Sequence, residues 1–142
     1  MKVSRILQAK GNEVATIGPD RPVLEVVAEL RERRIGAMVV MENDGSIAGI
    51  LSERDIVHAL AEHGPDLARL TARDLMTADV TVCDPGHDVH HVMRQMSGGR
   101  FRHVPVVDGG RLAGIISIGD VVRARIEELE RETEALQHYI TG

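Results

Sequence analysis

The chain contains itself twice. Gly49-Ile50-Leu51-Ser52-Glu53-Arg54-Asp55 returns 65 residues later as Gly114-Ile115-Ile116-Ser117-Ile118-Gly119-Asp120. Upstream of these stretches the offset is 66, carrying Val23 to Val89, Val26 to Val92, Val27 to Met93, Leu30 to Met96 and Ile35 to Phe101. The offset drops by one where Asp108-Gly109-Gly110 replaces the longer Asn43-Asp44-Gly45 loop, and turns are where length changes are tolerated. A unit of about 60 residues present only twice is too long and too few for a solenoid. It predicts a pseudo-twofold pair of modules sharing one core.

Each copy has its own element pattern. Val14 to Ile17 reads as a short strand stopped by Gly18-Pro19. Val23, Val26, Val27 and Leu30 recur at helical spacing from Pro22 onward. Ala37–Met41 and Ile47–Leu51 form a hairpin about Asn43-Asp44-Gly45. A helix from Glu53 then turns Ile56, Val57 and Leu60 inward and ends at Gly64-Pro65. The predicted class is α+β, two βαββα modules plus a long C-terminal helix. Residues 1–65 form the first module with an N-terminal lead-in carrying Val3, Ile6 and Leu7; 66–79 form a connector and lead-in helix; 80–142 form the second module.

Composition removes several classes of function. A chain of 142 residues buries about two thirds of its surface on folding, enough for this architecture without disulfides. Aromatic residues at 1% are too few for base-stacking platforms, and a net charge of −5 opposes phosphate-backbone binding, so nucleic acid is not an expected partner. No run approaches the roughly 18 apolar residues of a membrane span and the N-terminus does not read as a signal peptide, so no membrane role and a cytoplasmic location are expected. A single cysteine, Cys83, permits no internal disulfide; it reads as a small strand residue rather than a redox sensor.

The repeated corner carries the chemistry. In each copy an apolar strand ends at a serine, and an aspartate three residues on opens an amphipathic run. A helix N-terminus presents unpaired N–H groups and about half a positive charge, which attracts phosphate oxygens. The serine hydroxyl adds a donor, and an ionised aspartate accepts hydrogen bonds from vicinal ribose hydroxyls. The same Ser-x-x-Asp spacing is also a helix capping box that needs no ligand. The two roles can coexist.

The motifs Val-x-Thr-Ile-x-Pro, Ile-Gly-Ala-Met-Val-Val and Gly-Ile-Leu-Ser-Glu-Arg-Asp-Ile-Val resemble a cystathionine-β-synthase (CBS) domain. Phe101-Arg102-His103-Val104-Pro105-Val106-Val107 with Gly114–Val122 resembles the second member of a tandem pair, or Bateman module, and Asp74-Leu75-Met76-Thr77 its lead-in. The resemblance covers nearly the whole chain and implies a stand-alone regulatory pair that does not catalyse. It implies an adenosyl ligand in the cleft between modules: AMP foremost, or ADP, ATP, S-adenosylmethionine or an NAD-type dinucleotide. In the first module it implies Ser52 for phosphate, Asp55 for ribose, Arg54 for phosphate charge, and Thr16, Ile17, Ala37 and Met38 as adenine walls. In the second it implies Ser117 and Asp120, with Val82, Arg102, His103 and Pro105 as the wall. Arg54 corresponds to Gly119 and Arg102-His103 to Gly36-Ala37, so the two sites are expected to differ in affinity.

Three other patterns in the chain carry chemistry or contacts of their own. His87, His90 and His91 lack the further Cys, Asp or Glu ligands of a metal site, apart from Asp84 and Asp88. Ser52, Asp55 and His58 have the residue types of a hydrolytic triad but do not converge on one proton path along a helix. Val122, Ile126, Leu129, Thr133, Leu136 and Ile140 are spaced 4, 3, 4, 3, 4, a seam suited to a homodimer or to the chain's own N-terminal turns. The expectation is a sensor that reports adenine-nucleotide occupancy to a regulated partner protein; the alternative is a ligand-independent dimerisation scaffold whose Ser-x-x-Asp units are caps only.

Overall fold

The computed structural model describes residues 1–141. They divide into two compact units, one spanning residues 14–80 and the other joining residues 1–13 to those from 81 onward.

In the unit of residues 14–80, strand β1 (Thr16–Ile17) lies parallel to β2 (Ala37–Met41), and β2 lies antiparallel to β3 (Ile47–Ser52). The hairpin turn is held by Asp44, whose Oδ1 accepts from the Ser46 N–H at 2.9 Å and the Ser46 hydroxyl at 2.6 Å. Helix α2 (Val23–Arg33) buries Val23, Val26 and Leu30, as their spacing requires. It stops at Arg34, which adopts the left-handed region (φ 55°) without being glycine. The core is Ile17, Val26, Leu30, Met38, Val40, Leu51 and Ala72.

Helix α3 (Glu53–His63) departs from its expected phase. Val57 and Leu60 are 64% and 54% exposed, and the buried residue is Ala59, packed with Val23 and Leu67. The buried side is also the side of the cap. Asp55 is tied back to Ser52, and at about 100° per residue Ala59 lies near Asp55 on the helix surface while Val57 and Leu60 fall on the far side.

Residues 66–79 are not a free connector. A 3₁₀ turn (Gly64–Arg69) places Leu67 in the core, and helix α4 (Ala72–Leu75) is capped by Thr71 and Asp74. Thr77 then bridges to Ile50 through two backbone hydrogen bonds, 2.9 and 3.0 Å. The approach needs glycine at position 49: a Cβ there would lie 2.7 Å from both the Met76 sulfur and the Thr77 carbonyl oxygen.

In the other unit, α5 (Val89–Gly99) repeats α2 and ends on Arg100 at φ 57°, again left-handed. Strands β4 (His103–Asp108) and β5 (Arg111–Ser117) repeat the hairpin, with register shifts at Val40/Met41 and at Val106/Val107. The strand expected before α5 shrinks to one parallel bridge between Cys83 and Val106, because Asp84 leads into a turn at Pro85, which has no N–H to extend the ladder.

The N-terminal lead-in belongs here, not with the first module as expected. Helix α1 (Val3–Lys10) buries Val3, Ile6 and Leu7 among Cys83, Val89, Val92, Met96, Val104, Val106, Ile116, Val121 and Ala124. Its first N–H groups, at Val3 and Ser4, donate to the carbonyls of His87 and Pro85, both at 2.9 Å. Leu7 crosses β5 at Gly114, where a Cβ would lie 2.6 Å from Leu7 Cδ2. Gly49 and Gly114 are therefore sister positions, each receiving a lead-in segment. Helix α6 (Ile118–Thr141) has 24 residues and buries Val121 and Ala124 near its start.

Candidate functional site

At the first corner β3 ends on Ser52, directly opposite Ala37, and the Glu53 N–H donates to the Gly36 carbonyl at 2.9 Å. Asp55 Oδ2 accepts from the Ser52 N–H at 2.8 Å and the Ser52 hydroxyl at 3.1 Å, and Ser52 Oγ accepts from the Asp55 N–H at 3.4 Å. Both side chains are half-buried, and Arg54 beside them is exposed. No ion pair among the described residues includes Asp55.

The expected walls are only partly available as side chains. Ile17 and Met38 lie in the core of their own unit, so what they offer a ligand is backbone. Ala37 is on the opposite face of β2 from Met38 and is also buried, while Thr16, paired with Val39, is exposed.

At the second corner His103 sits opposite Ser117, and the Ile118 N–H donates to the Arg102 carbonyl at 2.8 Å. Asp120 Oδ2 accepts from the Ser117 N–H at 2.9 Å, and Ser117 Oγ accepts from the Asp120 N–H at 3.2 Å. Pro105 is buried, with its carbonyl taking the Cys83 N–H at 3.0 Å; Val82 and Arg102 are exposed and His103 is half-buried.

Here the copies diverge in a way their shared motif conceals. Asp120 is 7% exposed, the only buried charged side chain among the described residues. The Lys10 ammonium donates to its Oδ2 at 2.7 Å and to the Ile115 carbonyl at 2.9 Å, and Arg123 donates to its Oδ1 at 2.7 Å. Burial alone would push this carboxyl upward, but Lys10 and the Ser117 amide together hold it below the ordinary aspartate range. Sequence reasoning missed both cations. Arg123, three residues beyond Asp120, was readable as a helix neighbour; Lys10, 110 residues away, was not.

The other patterns resolve as local structure. His87 Nδ1 accepts the Asp84 N–H at 3.0 Å, and its ring lies 4.8 Å from that of His91. Among the described residues no group of three or more His, Cys, Asp or Glu side chains is placed to hold a metal. Ser52 and Asp55 bond each other, and His58 lies exposed on α3. On α6 the seam residues Val122, Ile126, Leu129, Leu136 and Ile140 are exposed. No helix among the described residues is long and apolar enough to cross a membrane.

Two α+β modules, each closing a hairpin on a Ser-x-x-Asp corner, make this a tandem pair of one repeated fold. The CBS domain model matches residues 7–62 and 72–127, and the chain belongs to the CBS-domain family. It is similar to the CBS-domain containing protein ATU1752 from Agrobacterium tumefaciens: 46% identity, TM-score 0.85, covering 87% of this chain and 92% of that one. It is also similar to CBS domain protein PAE2072 from Pyrobaculum aerophilum, complexed with AMP, at 29% identity and TM-score 0.78, covering 92% of this chain and 99% of that one. A third structure, the CBS domain pair of protein MJ0100 in complex with 5′-methylthioadenosine and S-adenosyl-L-methionine, aligns at 26% identity and TM-score 0.80, covering 90% of this chain and 98% of that one.

Proposed function

We propose that this chain is a cytoplasmic regulatory module that takes an adenosyl compound at the Ser52–Asp55 corner and reports its occupancy to a partner protein. The observation that carries the reading is a strand-end serine and a half-buried aspartate at the N-terminus of the eleven-residue helix α3, in a chain related to proteins holding AMP and S-adenosyl-L-methionine. The helix N-terminus and Arg54 favour phosphate, and Asp55 accepts ribose hydroxyls. AMP is the foremost candidate; ADP, ATP, NAD and S-adenosylmethionine share its adenosyl unit. Ser52 and Asp55 are engaged with each other rather than with His58, which supports a regulatory rather than catalytic role. A ligand shifts the module's conformation by its differential affinity for two states.

A second reading rests on its own observation. Both Ser-x-x-Asp pairs close as caps with no ligand, and the apolar seam of α6 is exposed, as suits a ligand-independent scaffold that dimerises through a second copy.

Thermal unfolding with and without AMP, ADP, ATP, NAD and S-adenosylmethionine separates the two. At 100 times Kd a ligand adds about 2.7 kcal/mol to the folded state, roughly 2–4 °C per kcal/mol for a chain of this size. Asp55→Ala is expected to abolish the shift while costing about 0.5–2 kcal/mol as a lost cap. A lower baseline with the full shift retained would make the carboxylate a cap alone.

A further inference from the structure

The second corner has the parts of the first, but its carboxylate is already in use. A ribose offers two neighbouring hydroxyls and needs two free acceptor positions from one carboxylate, which has about four. Asp120 spends three: one on the Ser117 N–H, one on Lys10 and one on Arg123. On Oδ2 the second place beside the cap's N–H is taken by the Lys10 ammonium at 2.7 Å, where the first corner has the rotatable Ser52 hydroxyl at 3.1 Å, and the burial of Asp120 leaves little room for an outside donor.

Lys10 is held in place rather than resting there by chance. It is the last residue of α1, whose Leu7 is seated on Gly114 and whose Val3 and Ile6 lie in the core. Gly11, at φ 96°, closes the helix immediately afterwards by donating its N–H to the Leu7 carbonyl at 2.8 Å. The same ammonium also reaches the Ile115 carbonyl, two residues before the corner serine. A charge-assisted bond to a buried carboxylate is among the stronger hydrogen bonds a side chain makes. The first corner has no such cation: no ion pair among the described residues includes Asp55, whose Oδ2 takes only the Ser52 N–H and hydroxyl among the hydrogen bonds of its cap, and that side chain is half-buried, not buried.

We infer that Lys10 is a built-in occupant of the second module's ribose position, so that the chain takes one adenosyl ligand, at Asp55, and admits a second at Asp120 only when the Lys10 ammonium is withdrawn. This inference rests on the reading that the Ser-x-x-Asp corners receive ribose. Lys10 is thus the residue that sets ligand stoichiometry. Its position on a lead-in helix means that whatever moves the end of α1 also opens the site.

Calorimetric titration with AMP, and in parallel with S-adenosylmethionine, tests this on the full chain. The expected stoichiometries are one per chain for wild type, none for Asp55→Ala, two for Lys10→Met and one for the Lys10→Met/Asp55→Ala double variant. Lys10→Arg, which keeps the cation, is expected to stay at one. Lys10→Met retains the aliphatic stem, and Arg123 still faces Asp120; if that variant does not fold, Lys10→Gln, which can still donate to Ile115, is titrated instead. Two sites in wild type, or one site in every folded variant lacking the Lys10 charge, overturns the inference about Lys10 while leaving the first corner's role intact. Weaker binding in Lys10→Met than in wild type makes Lys10 a ligand contact and overturns it as well. No binding by any variant sinks the underlying reading of the corners, and this inference with it.

Discussion

Gly49→Ala and Gly114→Ala add the same methyl group to sister positions, and their costs should differ widely. At position 49 the new Cβ meets the Met76 sulfur and the Thr77 carbonyl oxygen, each at 2.7 Å, and Met76 Cγ at 2.8 Å. The oxygen is backbone, fixed by the bonds between Thr77 and Ile50, so relief requires the segment after α4 to lift away. Overpacking of this kind costs about 1–3 kcal/mol, and each backbone hydrogen bond lost adds about 0.5–1.5 kcal/mol. Against this, replacing glycine at a compatible backbone conformation recovers about 0.4–1 kcal/mol from the unfolded chain. The net loss is about 2–4 kcal/mol. At position 114 the obstacle is the far end of one flexible side chain, Leu7 Cδ2 at 2.6 Å, with Cδ1 at 3.2 Å and Cγ at 3.5 Å. Turning that leucine costs about 0.5–1.5 kcal/mol, which the same unfolded-state gain largely offsets, leaving about 0–1 kcal/mol. Urea denaturation followed by circular dichroism gives both numbers from the shift in midpoint at constant slope. A Gly114→Ala variant as unstable as Gly49→Ala would refute the claim that one lead-in presses backbone and the other a side chain onto its hairpin.

Two further outcomes follow from buried titratable groups. Burial, with Asp84 nearby, pushes the Cys83 thiol up to about 11, so the native protein at pH 8 should react with iodoacetamide far more slowly than the urea-unfolded chain; equal rates would contradict its burial. The folded-state pKa of Asp120 is lowered despite its burial, so its contribution to stability is present above the unfolded value of about 3.9 and is lost as pH falls through the folded value. In acid titrations of stability, Asp120→Asn should therefore flatten part of the decline below about pH 4, and an unchanged curve would mean that Lys10 does not hold the ionised carboxylate.

What was legible in the sequence was whatever repeats or alternates. The 66-residue offset made the helices and hairpins legible; the left-handed Arg34 and Arg100 and the paired register shifts, which the sequence reading did not name, also fall at sister positions. The Ser52/Asp55 and Ser117/Asp120 capping boxes were likewise visible, because a cap is a relation between residues three apart; the third, Thr71/Asp74, has the same spacing and was not named. The phase of α3 was legible only in part: Ile56, Val57 and Leu60 are all apolar at spacings a helix allows, yet of these only Ile56 packs on the core, and the buried residue is Ala59, on the side of the capping Asp55.

The misassigned lead-in and the unseen Lys10 have one cause. A duplicated chain tells which positions are sisters, but not which module a segment packs on, because the same apolar lead-in satisfies either hairpin. Gly49 and Gly114 mark the landing places, yet a glycine within a strand pattern reads equally well as a bulge. Once α1 is fixed on β5 by Leu7 at Gly114, its last residue lies beside the corner that ends β5, and Lys10 reaches Asp120. The second lead-in, landing on β3, ends beyond α4 at Thr77 and pairs by backbone alone. The chemical difference between two corners with the same motif therefore arises from where each lead-in docks, a property of the duplication's wiring that neither corner's own residues encode.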